Sequence, residues 1–427
     1  MKTLHAVRRA AGALALALLC GVAAAQPAPP DLGATLSGVL AYAKERHPEL
    51  RAMRHEADAA AQRVGAAGAL PDPMLQVELR DVTNEMSGGS FNLLPARVGS
   101  TRYQLRQTFP AWGSRDAKRD AAAATADEAA RRADATWAEL AMRIKTAYAR
   151  YRQAHESLAQ TRALLDLVDR LEHVAAARYA GGLAAQQDAI RAQVERTSML
   201  SDLAMLESEL RSARARLNGL LVRPTDAPLA EPRDEGALPT LARLDAATLR
   251  ERVLARNPQL AAEDARIRAA ERSKDAVFAN RYPMFTLGVA PIQTRNRIGE
   301  WELMFEVNIP LQQKTRRSEE AEAAAMVAAA QARREAIATE ALAVLGENLA
   351  ALEAAHRVET LTQASLLPQA EVTLAAALAG YETGKVDFAT VLDAQRQIRQ
   401  ARLALIKTRA EARMRLAEIE RLLGEEL

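Results

Sequence analysis

Apolar residues recur along this chain with two different periods, and the change of period marks its elements. Leu75, Val77 and Leu79 alternate with Gln76, Glu78 and Arg80; further on, Tyr103, Leu105 and Phe109 alternate with Gln104, Arg106 and Thr108. The same alternation returns as Phe285, Leu287 and Val289 against Thr286, Gly288 and Ala290, then as Trp301, Leu303, Phe305, Val307 and Ile309 against Glu302, Glu306 and Asn308. Successive side chains of a strand point to opposite faces, so each segment predicts a strand with one apolar and one polar face. Elsewhere the spacing is helical, with Trp137, Ala141, Ile144, Tyr148, Tyr151, Leu158, Leu165 and Val168 on one stripe.

This order of elements is written twice. "HPEL" opens at residue 47 and "NPQL" at 257; both lead through alanine-rich stretches to a Pro-Met pair, Pro73-Met74 and Pro283-Met284. "YQLRQTFP" ends at Pro110 and "LMFEVNIP" at Pro310; "RYAGGLAAQQDAIRAQ" has its counterpart in "GYETGKVDFATVLDAQ", and "RLNG" at 216–219 in "RLLG" at 421–424. The chain is therefore a tandem duplication. The first unit, 34–221, predicts helices 34–47 and 48–70, strands 73–82 and 100–109, and helices 114–178 and 183–221. A linker over 222–245 leads to the second unit, 246–427, with helices 246–257 and 258–280, strands 283–292 and 300–309, and helices 318–380 and 385–424. Pro48 and Pro258 suit the first turn of a helix, where no N–H is needed, and Pro368 should kink the helix that contains it. Asn257 is a good N-cap, and His47, at the matching place, a poor one.

The lengths constrain the packing. At 1.5 Å per residue a helix over 114–178 is about 97 Å long, close to the combined length of the helices before and after it. Two shorter helices can thus stack end to end beside each long one, giving an elongated antiparallel coiled coil with strands at one end and glycine turns at the other. Abundant alanine permits close approach of such helices.

Composition agrees, with aromatics only 4 % of 427 residues. Residues 1–25 resemble a secretory signal: Lys2, Arg8 and Arg9, an apolar run from Ala10 to Val22, then Ala23-Ala24-Ala25. A linker over 26–33 follows. Cleavage would remove three cations and no acid, taking the formal net charge from +3 to zero. No basic face interleaved with aromatics then points to nucleic acid. The one cysteine, Cys20, lies inside the signal; Leu19 before it argues against a lipoprotein site, and the mature chain is expected to have no thiol chemistry. No run of 18 apolar residues follows the signal, so no transmembrane helix is expected.

The strands are about as long as a tilted transmembrane strand, and their alternation suits lipid on one face and water on the other. A half-buried sheet of a soluble domain would alternate likewise. Four strands cannot close a barrel, and open edges are not tolerated in hydrocarbon. If the strands span a membrane, several chains must share one barrel, and three chains would supply twelve strands.

With these landmarks in place, the chain resembles the TolC family of outer-membrane factors over nearly its whole expected mature length, from about Leu36 to Gly424. The resemblance rests on the "HPEL" and "NPQL" openings, the strand pairs ending at Pro110 and Pro310, and two Tyr-x-x-Gly turns, Tyr179 to Gly182 and Tyr381 to Gly384. "LPDPMLQVEL" and "QTFPAWGSRDAKRDAA" are most similar to members serving heavy-metal pumps for copper and silver or for cobalt, zinc and cadmium. The resemblance implies a mostly α fold with a transmembrane β part: a homotrimer whose 12-stranded outer-membrane barrel continues into a 12-helix periplasmic tunnel. It implies a passive exit duct of a tripartite efflux system, with a periplasmic adaptor (membrane fusion) protein, an inner-membrane RND-type pump and outer-membrane lipid as partners. Drug efflux or type I secretion through the same duct, or a soluble periplasmic coiled-coil scaffold, are the rival expectations.

The family's periplasmic entrance is built by the two helix turns. Tyr179 and Gly182 match the first turn, Tyr381 and Gly384 the second. Asp188 matches an acidic position that in relatives bonds to the second-turn tyrosine, here Tyr381. Asp393 in "VLDAQ" matches an acidic ring at the constriction; Thr390 occupies the other acidic position, and the basic gate residue of some relatives falls near Val386, beside Lys385. The competing reading makes Asp188, Asp387 and Asp393 solvated acids in the first turns of helices, favoured by the helix dipole. No metal or other cofactor is expected. His47, His55, His155, His173 and His356 are scattered, with only Met53 and Glu56 near His55 to suggest a surface site. No nucleophile–base set or phosphate loop appears, so no enzyme is expected.

Overall fold

The computed structural model describes residues 31–85, 89–233, 236, 239 and 245–427. The expected signal over 1–25 with Cys20, residues 26–30 of the first linker, and most of the second linker between 234 and 244 lie outside them.

In the first half, α1 (Leu36–Arg46) and α2 (Pro48–Ala67) precede β1 (Met74–Arg80) and β2 (Ser100–Phe109), followed by α3 (Ser114–Ala180) and α4 (Gln186–Leu220). In the second, α5 (Ala246–Arg256) and α6 (Pro258–Ala279) precede β3 (Met284–Thr294) and β4 (Arg297–Asn308). Then come α7 (Gln313–Leu361), one π-helical turn (Thr362–Leu366), α8 (Leu367–Glu382) and α9 (Phe388–Leu423). The second long helix thus starts at Gln313, before the expected 318, and is divided rather than simply bent. Pro368 lacks an N–H for the carbonyl four residues back, and the π turn absorbs that defect immediately upstream. Two other helices start late. α4 begins at Gln186 rather than 183 and α9 at Phe388 rather than 385, because the intervening residues close the turns described below.

α3, at 67 residues, is about 100 Å long. It packs against α2 over its upper part and α4 over its lower part, while α6 and α9 flank it from the second half. α7 touches α6 above and α9 below. Across the protomer the upper helices therefore run α2, α3, α6, α7, and the lower ones α4, α3, α9 and α7–α8. Three buried clusters hold this slab: one near the glycine turns around Val168, Met199, Tyr381 and Phe388, and one at the equator of each half. Buried alanines such as Ala147, Ala175, Ala192 and Ala394 let the backbones approach.

The strands form one antiparallel sheet in the order β1-β2-β3-β4, with β1 and β4 at its edges. The register puts Leu75 opposite Leu105, Leu105 opposite Val289, and Val289 opposite Leu303, so the apolar residues of all four strands share one face. Phe109 and Phe285 stack on that face with ring centroids 5.3 Å apart. Leu303 is 87 % exposed and Phe305 69 %. A sheet with such an apolar face in water would be an aggregation template; in lipid it is at rest. No described helix is long and apolar enough to cross a membrane.

Candidate tunnel entrance at the helical tips

Each long helical hairpin ends in the same turn. At the first tip the N–H of Gly182 donates to Tyr179 O at 2.9 Å and that of Leu183 to Arg178 O at 2.8 Å. At the second, Gly384 donates to Tyr381 O at 3.1 Å and Lys385 to Gly380 O at 2.8 Å. Both patterns are the six-to-one and five-to-two bonds of a Schellman C-cap, which needs a left-handed residue after the helix. Gly182 (φ +68°) and Gly384 (φ +71°) fill that place.

The restart differs between the tips. The Asp387 carboxylate accepts from the Thr390 N–H at 3.0 Å and its hydroxyl at 2.6 Å, capping α9. Those hydrogen bonds, hydroxyl first, hold the Asp387 carboxyl below its ordinary pKa. Thr390, in the place of an acid in the family pattern, is thus committed to this cap. α4 has Ala185 at the corresponding position and no side-chain cap.

Tyr381 is buried against Phe388, centroids 5.2 Å apart, and the guanidinium of Arg178 lies over its ring at 4.8 Å. Arg178 also donates to the carbonyl of Glu382 at 3.0 Å, tying the end of α3 to the end of α8. Burial, then the Asp188 carboxylate, raise the Tyr381 phenol above its ordinary pKa, while Arg178 lowers it. The expected Asp188–Tyr381 hydrogen bond is not made in the single chain: Asp188 comes near enough to act through charge, but the phenol oxygen has no partner. Arg178 and Phe388 instead occupy the surroundings of the ring. Tyr179 and Lys385 are exposed, and Asp393 is exposed with Arg396 at 3.7 Å.

Two features escaped the motif reading. One is Arg178, whose signal was a cation in the last turn of a helix. The other is Glu195, two turns beyond Asp188 on α4, which is buried and accepts from Arg396 on α9 at 2.9 and 2.6 Å. Arg399 adds a bond to Asp202 at 2.8 Å. These ion pairs join α4 to α9 just above Asp393. Among the described residues, no group of three or more His, Cys, Asp or Glu could hold a metal ion.

Comparison with known proteins matches this architecture. The model of the family described as outer membrane efflux protein matches residues 39–222 and 249–425, one stretch in each half. The chain is 25 % identical over 398 residues to the cobalt-zinc-cadmium resistance protein CzcC of Cupriavidus metallidurans, covering 91 % of this chain and 90 % of the relative. Its fold is that of the outer-membrane protein VceC from Vibrio cholerae (TM-score 0.74, 17 % identity, 92 % of this chain and 96 % of that one). CusC is equally similar in fold (TM-score 0.75, 18 % identity, 91 % and 92 % covered). The open-state MtrE channel of Neisseria gonorrhoeae agrees as well (TM-score 0.73, 18 % identity, 92 % of both chains). These likenesses set aside the soluble-scaffold expectation, and the duplicated halves, the four-stranded sheet and the paired glycine turns together make the chain a TolC-like, outer-membrane member of the outer membrane efflux protein family.

Proposed function

We propose that three copies of this chain form a passive exit duct through the outer membrane. The observation that carries the reading is a sheet with two unpaired edges and one exposed apolar face. In lipid its backbone groups can be satisfied only by closure with other copies, and three copies give twelve strands. The helices below support the same arrangement. α4 is at one side of the protomer, with Ile190, Val194 and Met205 exposed; α7 and α8 are at the other, with Val358, Leu361 and Val372 exposed. Pairing β1 with β4 of the next copy brings these two sides together.

In that assembly the tips carrying Tyr179, Gly182, Asp188, Tyr381, Gly384, Lys385, Asp387 and Asp393 surround the periplasmic entrance. Three Asp393 side chains facing one axis would make a cation-attracting ring. The tips would dock a periplasmic adaptor, and an inner-membrane RND-type pump would supply the energy. The name of the CzcC relative favours heavy-metal cations as cargo.

The chain's one cysteine, Cys20, falls in the expected signal, so engineered cysteines report cleanly. Cysteines scanned along β1 (74–80) against one at Leu303 of β4 should link separate copies into a covalent trimer in outer-membrane extracts. Monomers only, at every pairing, would defeat the shared barrel. In the same host, deletion should sensitise growth to cobalt, zinc or cadmium; unchanged metal tolerance with lost drug tolerance would redirect the cargo.

A further inference from the structure

The polar face of the sheet carries a run of alternating charges. Arg80 lies 3.2 Å from Oε1 of Glu78, and Oε2 of Glu78 lies 3.7 Å from Nη1 of Arg102. Nη2 of Arg102 lies 2.7 Å from Oε2 of Glu302. Glu78 is on β1, Arg102 on β2 and Glu302 on β4, so the contact with Glu302 passes over β3. It does so at Ala290, the β3 partner of Glu302, which is too small to obstruct it. One pair further along, Gln104 of β2 donates to the Met304 sulfur of β4 at 3.0 Å across Gly288. A Cβ on Gly288 would meet Arg106 Cγ, Gln104 Nε2 and Met304 Cε, each at 3.3 Å. Small residues on β3 thus open a lane through which its neighbours' long side chains meet.

In the proposed duct this face lines the lumen, because the opposite face is apolar. By register and alternation it carries four carboxylates, Glu78, Glu300, Glu302 and Glu306, and four guanidinium groups, Arg80, Arg102, Arg106 and Arg297. The wall is therefore neutral in sum, four acids against four cations per chain. Arg102 is the cation placed between two of these acids, and its side chain is only 19 % exposed, while each acid is 40 % exposed.

We propose that Arg102 sets the charge selectivity of the outer passage, neutralising Glu78 and Glu302 so that the lumen wall neither excludes anions nor retains cations at that level. An exit duct needs a wall that lets its cargo leave, and two open carboxylates reaching the same guanidinium could otherwise hold a divalent cation between them. Loss of Arg102 takes the wall from neutral to one negative charge per chain and uncovers both acids. The inference rests on the duct reading.

The test is the reversal potential of purified trimers in planar bilayers under a KCl gradient near 0.01–0.1 M, where the screening length is about 10–30 Å and reaches across the lumen. Arg102→Gln should raise the K⁺ over Cl⁻ permeability ratio roughly twofold or more by fixed-charge focusing. Arg102→Lys keeps the charge and should leave the ratio unchanged, which separates charge from bracing. Glu78→Gln/Glu302→Gln should shift the ratio toward anions, and this variant still decides the matter if Arg102→Gln does not assemble. Ratios equal to the unsubstituted protein's in every variant, with normal conductance, would overturn the role of Arg102 and leave the duct standing. Absence of any conductance from the unsubstituted protein would overturn the duct itself, and this inference with it.

Discussion

The two halves of the chain build the same equatorial joint with different chemistry. In the second half Asn257 is buried between two helices: its Oδ1 accepts from the N–H groups of Gln259 and Leu260, both at 2.9 Å, and its Nδ2 donates to Leu422 O at 2.8 Å. One side chain caps the start of α6 and holds the end of α9. At the matching place of the first half, His47 makes no capping bond, and its Nδ1 is buried without a partner. The stitching there has moved to Asn218, which donates to Thr225 O at 3.3 Å and Ala227 O at 2.9 Å, where the second half has the apolar Leu423. The helix ends differ too. α9 stops at Gly424 (φ +70°), packed against Pro258, whereas α4 runs through Gly219 and closes on Val222, a β-branched residue held at φ +56°. The comparison teaches that duplication preserved the joint but not the residues that make it. An amide ties a helix start to a helix end at Asn257 and a helix end to the following linker at Asn218, and only one half kept a glycine where the backbone wants one.

The largest effect should come from breaking the better joint. Asn257→Ala leaves three backbone groups without their partner, those of Leu260 and Leu422 in buried surroundings, and should cost about 2–3 kcal/mol, seen as an earlier urea midpoint for helix loss in detergent. His47→Ala should change that midpoint little, and His47→Asn, giving the first half the cap it lacks, should gain about 1 kcal/mol. Equal losses from the two alanine variants would erase the distinction. A smaller effect, of opposite sign, is expected at Val222. Left-handed backbone costs an L-residue about 1–2 kcal/mol, part of which glycine returns as unfolded-state entropy. Val222→Gly should therefore stabilise the fold by up to about 1 kcal/mol, read in the same melt. An unchanged or lower midpoint would show that the strain is absent.

The smallest effect contrasts the tips. Asp387 caps α9, and its folded pKa is depressed; the cap's contribution is therefore complete above the ordinary aspartate value near 3.9. It is lost as pH falls through the lower folded value. α4 has no such cap. Hydrogen exchange at the first turn of α9 should rise relative to that of α4 below about pH 4, and Asp387→Asn should abolish the difference. Parallel behaviour of the two helices would remove Asp387 from the account.

Much of this was legible in the residues. Two-residue alternation marked the four strands, because the pleat leaves no other way to separate lipid-suited from water-suited side chains. Tyr-x-x-Gly marked both turns, because only glycine takes the left-handed cap at little cost. The capping contrast between Asn257 and His47 followed from their side chains alone. Other features were hidden because they join residues far apart in sequence. Nothing near Arg178 in the chain announces Tyr381, and Glu195 looked like any surface acid of a helix until α9 covered it. Thr390 was legible only as standing where relatives place an acid, and Asp387 only as an acid at a helix start; that the Asp387 carboxylate accepts from the N–H and hydroxyl of Thr390 appeared in space.

By itself, the sequence determined the duplication, the element types, the amphipathic faces and the family, since each depends on periodicity or on local backbone chemistry. Tertiary structure alone decided which charges meet. It brought Arg102 past Ala290 to Glu302, placed Arg178 over Tyr381, and left the two edges of the sheet unpaired. Such pairings depend on strand register and helix order, which arise only when distant segments bury their apolar faces together.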